Sequence, residues 1–393
     1  MTNPLMATYN RLPVTFSQGQ GVWLTDTAGQ RYLDAVAGVA VCSLGHAHPA
    51  VTQAVCEQAG KLVHTSNLYR IAHQQQLGGQ LVKLAGMDRV FFANSGAEAN
   101  EAAIKLARLH GRKKEVAKPT IVVMDNSFHG RTMATLTATG SRRVQAGFEP
   151  LVPGFVRVPF GDMQALETAA ANNPNIVAVL VEPIQGEGGV RIPPPDYLQN
   201  IRALCDAQGW LMMLDEIQTG MGRTGRLFAF QHSGITPDVM TLAKALGNGV
   251  PIGACLAAGE AAELFGPGNH GSTFGGNPLA SAAALSVVET MTATRLWEQA
   301  ARLGEHLLAG LGSSLGQQAG VVEIRGVGAM IGIELDRACS ELVGRALDKG
   351  LLINVTADSV IRLLPPLVMN TEEADQLIRE LSQLVVEFLS ENQ

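Results

Sequence analysis

Short apolar runs alternate with amphipathic stretches from about residue 50 to residue 280 of the chain. The stretches Ala97–Arg112 and Tyr197–Gln208 have the apolar spacing that is typical of helices. The apolar runs predict strands at Arg89–Ala93, Thr120–Met124, Ile176–Val181, Trp210–Leu214, Val239–Leu242 and Ile252–Ala258. Strands that alternate with helices predict a mostly parallel sheet, covered by helices on both faces.

The pattern changes after Ser281, where longer helical stretches flank short apolar runs. Helices are predicted at Ser281–Leu311, Ser340–Lys349 and Glu372–Ser390, and strands near Ala329–Glu334 and Val360–Leu364. We expect residues 50–280 to form a large α/β domain and residues 281–393 a smaller α+β domain. The N-terminal residues 1–49, with the strand-like segment Gly21–Leu33, are expected to join the small domain.

Composition narrows the classes of function. The net charge of −6 is unlike that of a nucleic-acid-binding protein. No apolar run is long enough for a membrane span, and Met1–Phe16 lacks the pattern of a secretory signal. The five cysteines are scattered, which predicts reduced thiols in a cytoplasmic protein. His46 and His48 lie in a Gly/Pro-containing turn, where alternate histidines are more often turn residues than ligands, so no metal site is predicted.

Polar residues follow the predicted strands at the points where those strands end. They are Asn94–Gly96, Asp125–Arg131, Glu182, Asp215 and Lys244. Ligands of parallel α/β sheets bind beyond the carboxyl ends of the strands. We therefore expect these residues to meet at one edge of the sheet and to form a site for a small molecule.

The segment Asn94–Glu98 follows a strand and begins a helix, which leaves two interpretations open. Ser95 and Glu98 have the spacing of a capping box, which is a purely structural role. The free N–H groups at a helix N-terminus also suit a phosphate, and Gly96 would allow the phosphate to approach closely.

Asp215 and Lys244 predict chemistry that needs a carboxylate and an amine at neighbouring strand ends. An ionised Asp215 could keep a pyridine ring protonated, and Gln218 could reach the ring's oxygen from the same turn. Lys244 lies between two apolar segments, and burial lowers the pKa of an amine and makes it a nucleophile toward an aldehyde. The structural alternatives are a carboxylate that only caps a turn and a lysine whose amine reaches solvent.

The sequence resembles the class III aminotransferases, which are enzymes of the pyridoxal-phosphate (PLP) fold type I. The resemblance extends from Gly21 to Pro366 and rests on motifs at Asp215–Gln218, Lys244 and Gly271–Pro278. Further segments, Phe128–Thr135, Glu182–Gly189, Leu351–Asn354 and Ile361–Pro366, are most similar to those of acetylornithine aminotransferases. The expected fold is therefore a large, mostly parallel-sheet domain with a smaller α+β domain.

The resemblance implies a role for each matching position toward the cofactor. Lys244 would hold PLP covalently, Asp215 would pair with its ring nitrogen, and Gln218 would contact its ring oxygen. Phe128 would stack on the ring, while Ser95, Gly96 and Ala97 would bind the phosphate. Many relatives have threonine in place of Ala97, so one hydroxyl contact is expected to be missing. Thr273 would reach the phosphate of a neighbouring subunit, which implies a homodimer with shared active sites.

The resemblance also implies how small-molecule amino-acid substrates are bound. Arg131 would bind the α-carboxylate of the amine donor, and Ser272 would lie beside the substrate across the dimer interface. Arg362 would bind a carboxylate of glutamate or 2-oxoglutarate, with Glu187 as its partner when that substrate is absent. Two arginines are also expected on physical grounds, because planar guanidinium groups bind carboxylates through paired hydrogen bonds.

Several alternatives stay open at this stage. Within the family they are ornithine, 4-aminobutyrate and succinylornithine aminotransferases, and activity on succinyldiaminopimelate can accompany that on acetylornithine. A PLP-dependent aminomutase or epimerase takes no second carboxylate substrate, so the pair Arg131 and Arg362 argues against it. The segment Gly220–Gly225 matches the dinucleotide-binding fingerprint, but no helix pattern begins after it, so a nucleotide site is not predicted.

Overall fold

The computed structural model describes residues 4–391, and within that range the strands form three sheets. The strands are β1 (Phe16–Gln20), β2 (Trp23–Asp26), β3 (Arg31–Asp34), β4 (Arg89–Ala93), β5 (Thr120–Met124), β6 (Phe155–Val158), β7 (Ile176–Val181), β8 (Leu211–Asp215), β9 (Val239–Leu242), β10 (Gly253–Ala257), β11 (Val321–Val327), β12 (Met330–Leu335), β13 (Leu351–Leu352), β14 (Asn354–Thr356) and β15 (Val360–Leu363). The helices are α1 (Ala37–Ala40), α2 (Pro49–Ala59), α3 (Ala72–Ala85), α4 (Gly96–Lys113), α5 (Met133–Ala138), α6 (Arg142–Gln145), α7 (Met163–Asn172), α8 (Tyr197–Gln208), α9 (Pro278–Thr294), α10 (Leu296–Leu315), α11 (Leu342–Asp348) and α12 (Thr371–Glu391).

The central sheet has seven strands in the order β4-β10-β9-β8-β7-β5-β6. β10 pairs antiparallel with both β4 and β9, and the pairs from β9 across to β6 are parallel. β4, β5, β6, β7, β8 and β9 therefore run in one direction, and their carboxyl ends lie along one edge of the sheet. This arrangement confirms the predicted α/β class with its mostly parallel sheet.

Both faces of the central sheet are buried, as the apolar runs predicted. Ile121 and Val123 of β5 pack on one face with Ile104 of α4. Val122 and Met124, which point the other way, belong to the core on the opposite face, where the Tyr197 hydroxyl of α8 contacts the Met124 sulfur at 3.4 Å. A strand that is apolar at every position therefore has a buried partner for each side chain.

The other two sheets contain the strands from the two ends of the chain. β1, β2, β3 and β13 form one sheet, in which Leu33 of β3 pairs in parallel with Leu351 of β13. β11, β12, β15 and β14 form the other, which is antiparallel and is called here the C-terminal sheet. The N-terminal strands thus contact a C-terminal strand, whereas the proposed boundaries at residues 49 and 280 stay a prediction.

Some elements differ from the sequence-based expectation. The pattern Ser281–Leu311 is two helices, α9 and α10, which are separated at Arg295 by a left-handed backbone conformation with φ of 49°. Neither glycine nor proline marks that break. The strands β1, β6, β11, β13 and β14 were not predicted; four of them have five residues or fewer, and such short segments carry little periodicity. Among residues 4–391, no helix is both long and apolar enough to cross a membrane.

The segment with the dinucleotide-like glycines is a loop, and its arginine has a structural role that the sequence did not reveal. Arg223 is fully buried. Its guanidinium donates hydrogen bonds to the carbonyls of Ala329 and Pro365 and to the Ser43 hydroxyl. Burial lowers the pKa of Arg223 to about 9. This side chain therefore joins the central part of the chain to segments near both ends.

Candidate active site

A cavity of about 390 Å³ lies at the carboxyl edge of the central sheet. The residues predicted from the strand ends line it together: Asn94, Ser95, Gly96, Ala97, Phe128, Arg131, Glu182, Asp215, Gln218 and Lys244. His129, Ile217 and Val41 also line the cavity, although no role was predicted for them from the sequence. The topology therefore collects residues that are far apart in sequence into one site, as the strand-end argument predicted.

Lys244 follows β9 and begins a single 3-10 turn, Lys244–Leu246. Its φ of 44° lies in the left-handed region, which non-glycine residues rarely adopt and which is common at functional sites. Burial lowers the pKa of the Lys244 amine. Arg362 acts in the same direction, whereas the carboxylates of Glu187 and Asp215 oppose it. More of this amine is therefore neutral and nucleophilic than of an exposed lysine.

Asp215 ends β8 and is held by three hydrogen bonds. Its Oδ2 accepts from Asn100 Nδ2 at 2.7 Å and from His129 Nδ1 at 2.8 Å, and its Oδ1 accepts from the Ile217 amide at 3.1 Å. Asn100 is fixed in turn, because its Oδ1 accepts from the Thr241 hydroxyl at 2.8 Å. All four side chains of this group, named here the Asp215 network, are buried.

The sequence analysis missed Asn100 and Thr241 and left His129 without a role. Asn100 lies on the buried face of the alanine-rich helix α4 and also donates to the carbonyl of His129 at 2.8 Å. A polar residue on a buried helical face needs a partner, and that rule was the only available signal. Thr241 lies within an apolar strand, and no feature of the sequence indicated that it contributes to the site.

The helix α4 begins at the cavity, with Ser95 as its N-cap. The Ser95 hydroxyl accepts from the Glu98 amide at 3.2 Å, as in a capping box, but Glu98 reaches the amide of Asn94 instead of that of Ser95. A Cβ on Gly96 would lie 2.7 Å from Cδ1 of Ile217, so a larger residue there would require the Ile217 side chain to move. The first N–H groups of a helix have no partners within the helix, so this end can bind an anion.

Phe128 and Glu182 meet on another wall of the cavity. The Phe128 amide donates to Glu182 Oε2 at 3.2 Å, and the guanidinium of the exposed Arg131 lies 5.6 Å from the centre of the Phe128 ring. Glu182 is buried, and burial together with the nearby Asp215 raises its pKa well above the usual value. Arg131 is therefore the accessible cation of this wall.

Arg362 lies on β15 and is buried, with 2% of its side chain exposed. It donates to Glu187 Oε1 at 2.6 Å and to Asn354 Oδ1 at 2.7 Å, and its contact with Gln218 Oε1 is 3.4 Å. Burial alone would raise the pKa of Glu187, but the Arg362 guanidinium outweighs it and the pKa is lowered. The two side chains form an ion pair that contacts Gln218 of the cavity wall, although neither Arg362 nor Glu187 is among the residues that line the cavity.

Ser272 and Thr273 do not line the cavity of their own chain. The Ser272 hydroxyl accepts from Asn94 Nδ2 at 3.1 Å and from the Gly275 amide at 2.9 Å, while Thr273 is exposed. His46 is likewise not among the lining residues; its Nε2 contacts Asp34 Oδ2 at 2.7 Å.

Residues 6–385 match the sequence profile of the family described as aminotransferase class-III. The chain belongs to the class III aminotransferases. It is 58% identical to the acetylornithine aminotransferase of Nitrosomonas europaea over 98% of both chains. It is 53% identical to acetylornithine aminotransferase 1 of Bordetella pertussis over the full length of both.

Solved structures support the same family. The ornithine aminotransferase of Toxoplasma gondii ME49 has a TM-score of 0.95 and 35% identity, over 99% of this chain and 94% of that one. The acetylornithine aminotransferase of Elizabethkingia anophelis has a TM-score of 0.87 and 34% identity, over 97% and 96%. These matches confirm the predicted fold type and the predicted enzyme class.

Class III aminotransferases depend on PLP, so the predicted cofactor is confirmed at the level of the family. The residues of this aminotransferase fit that cofactor. The N-terminus of α4 lines the cavity at Ser95, Gly96 and Ala97, and the free N–H groups of a helix start suit a phosphate. The Asp215 carboxylate and the Lys244 amine line the same cavity, which suits a ring nitrogen and an aldehyde. The role of each individual residue stays a prediction.

Proposed function

We propose that this aminotransferase moves the terminal amino group of N2-acetyl-L-ornithine to 2-oxoglutarate. The products are N-acetyl-L-glutamate 5-semialdehyde and L-glutamate, and the reaction belongs to arginine biosynthesis. The observation that carries the proposal is the ion pair of Arg362 with Glu187, 2.6 Å long, beside the cavity. The names of the relatives that are 58% and 53% identical support the same substrate.

The ion pair suits an enzyme whose two substrates differ where Arg362 would bind them. 2-Oxoglutarate has a second carboxylate for Arg362, whereas acetylornithine would leave that arginine without a ligand. A buried guanidinium without a partner is unfavourable. Glu187 serves as the partner during the acetylornithine half-reaction and moves aside when 2-oxoglutarate binds.

Lys244 and Asp215 have different roles in proton transfer. Lys244 would hold PLP through its aldehyde carbon, and PLP would supply the carbon that accepts the amino group and a ring that withdraws electrons. The Lys244 amine removes the proton from the donor's amine-bearing carbon, because its lowered pKa leaves it neutral more often. The Asp215 carboxylate holds the ring nitrogen in its protonated form, and Asn100 and His129 keep that carboxylate in place.

Arg131 binds the α-carboxylate of acetylornithine at the mouth of the cavity. Its guanidinium is exposed and close to the Phe128 ring, so a carboxylate can reach it from solvent. The α-amine of acetylornithine is an amide and carries no charge, whereas free ornithine would bring an ammonium group close to Arg131. That difference favours the acetylated substrate.

The active sites are completed across a homodimer, in which Thr273 reaches the partner's phosphate site and Ser272 the partner's substrate. One surface of the chain supports this proposal. Asn67 Nδ2 donates to the carbonyls of Ser272 and Gly275, so the segment around Asn67 and the loop with Thr273 form one surface. Its large apolar side chains are strongly exposed; they are Leu62, Val63, Leu68, Tyr69 and Phe274. An apolar patch of this kind is typical of a protein–protein interface.

The free cysteines fit a cytoplasmic location, which is also part of the proposal.

The substrate is tested by single-turnover absorbance of the PLP-loaded enzyme with a panel of amine donors. The panel contains acetylornithine, succinyldiaminopimelate, ornithine and 4-aminobutyrate. We expect acetylornithine to have the highest specificity constant, with succinyldiaminopimelate as a second substrate. A higher specificity constant for ornithine or 4-aminobutyrate would overturn the proposal.

A further inference from the structure

The loop that carries Glu187 has a strained backbone close to its base. Gln185 and Arg191 pair through two backbone hydrogen bonds of 3.0 Å, which close the loop. Within it, Gly189 has a φ of 102° and Val190 a φ of 50°. Val190 is β-branched and fully buried, so its left-handed conformation persists only if its surroundings hold it there.

Arg325 of β11 supplies contacts that hold this loop. Its Nη2 donates to the Gly189 carbonyl at 2.6 Å and its Nε donates to the Val190 carbonyl at 2.9 Å. Its Nη1 contacts the carboxylates of Glu323 and Glu334, each at 2.6 Å. The guanidinium is nearly buried, and its planar fork binds both carbonyls at once.

Arg325 and Arg362 belong to the same row of the C-terminal sheet. Arg325 is opposite Gly332 of β12, and Gly332 is opposite Arg362 of β15. Residues opposite each other in a sheet project from the same face. A Cβ on Gly332 would lie 3.0 Å from that of Val190, so the glycine leaves room for the loop to lie between the two arginines.

We propose that Arg325 is a positioning residue, which fixes the Glu187 loop on the C-terminal sheet and thereby sets how strongly Glu187 pairs with Arg362. Arg362 donates a hydrogen bond to the Glu187 side chain of the loop, and the proposed exchange breaks that bond in each catalytic cycle. Arg325 holds the backbone two and three residues further along and takes no part in that exchange. The Thr356 hydroxyl, which donates to the Glu187 carbonyl, acts alongside it. The inference rests on the proposed exchange of Glu187 for a substrate carboxylate.

The test compares the two half-reactions in Arg325→Met, Glu187→Ala and the double variant. If Arg325 acts through Glu187, Arg325→Met raises the rate ratio of the glutamate to the acetylornithine half-reaction in the same direction as Glu187→Ala. We expect a rise of roughly tenfold, the scale of one charge-assisted hydrogen bond. The double variant should show no further rise, because the two changes remove the same contact.

A second variant and a matched control separate positioning from general damage. Gly332→Ala pushes on Val190 without removing a charge, so it should raise the same ratio even if Arg325→Met does not fold. Arg191→Ala removes another contact of Glu334, 3.0 Å long, and spares the carbonyls that Arg325 binds. The ratio should stay unchanged in Arg191→Ala.

Hydrogen exchange of residues 183–192 in the enzyme without cofactor gives a readout independent of turnover. Exchange should be faster in Arg325→Met and in Gly332→Ala than in Arg191→Ala and the wild type. If Glu187→Ala raises the ratio but Arg325→Met and Gly332→Ala slow both half-reactions equally, the inference is wrong and the proposed function stands. If Glu187→Ala itself leaves the ratio unchanged, the exchange of Glu187 for substrate is wrong and the inference is overturned with it.

Discussion

Two charged groups of the active site, the Asp215 carboxylate and the Arg362 guanidinium, are held in different ways. On the side of the central sheet, the Asp215 carboxylate accepts hydrogen bonds from two buried side chains and one backbone amide. On the side of the C-terminal sheet, Arg362 is held through Asn354 and through Glu187, whose side chain is 36% exposed. The first group is a closed network, whereas the second has a partner that can leave. A transaminase needs both, because its cofactor stays in place while its substrates alternate.

The largest expected effect comes from Lys244, which serves both sides. Lys244→Ala removes the amine that would hold PLP and move the proton, so turnover should fall by several orders of magnitude while the fold is kept. Borohydride reduction of the PLP-loaded wild type, followed by peptide mapping, should label Lys244. Lys349→Ala is the control, because Lys349 pairs with Glu387 on the surface and should be dispensable. A label on another lysine would contradict the assignment.

The next largest effect is expected from Asp215, on the side of the central sheet, which is called here the fixed side because its hydrogen bonds stay in place. Asp215→Asn keeps the shape of the side chain but removes the charge that would hold the ring nitrogen protonated. We expect proton removal from the donor to slow by on the order of 10²-fold or more, with a much smaller change in substrate affinity. Single-turnover rates with donor deuterated at its amine-bearing carbon would measure this step. Equal rates in variant and wild type would show that Asp215 has no such role.

A smaller loss is expected from Asn100→Ala, which loosens the network and leaves Asp215 in place. The change removes two donated hydrogen bonds and leaves the Thr241 hydroxyl without its acceptor. We expect the free energy of unfolding to fall by about 1–3 kcal/mol. Thermal unfolding and the rate of proton removal should both change. Unaltered proton removal in a destabilised variant would limit Asn100 to a structural role.

The smallest effect on chemistry is expected from Thr273→Ala at the proposed interface. The variant should bind PLP more weakly, by roughly tenfold for one hydrogen bond to a phosphate, and should keep near-normal rates when PLP is saturating. Mixing Thr273→Ala with Lys244→Ala subunits should change activity in a way that depends on dilution. A fully active monomer would refute the shared site.

The sequence predicted the side with Asp215 and Lys244 better than the side with Glu187 and Arg362. Asp215 ends β8 and Lys244 follows β9, the apolar runs predicted both strand ends to within one residue, and the edge of a parallel sheet brings such ends together. The direction of β10 was not predictable, because periodicity is the same for parallel and antiparallel strands. The partners Asn100 and Arg325 depend on contacts between distant segments, which no local pattern encodes. Glu187 and Arg362 were paired through resemblance to a family and not through spacing.

The exchange of Glu187 for a substrate carboxylate at Arg362 is tested most directly with Arg362→Ala. Its two half-reactions are followed separately by single-turnover absorbance of the PLP-loaded enzyme. If Arg362 binds a carboxylate of glutamate and is otherwise held by Glu187, the glutamate half-reaction should slow by about one to two decades, the scale of a charge-assisted contact. The acetylornithine half-reaction should be nearly unchanged. Equal slowing of both half-reactions would contradict the exchange and leave Arg362 with a structural role only.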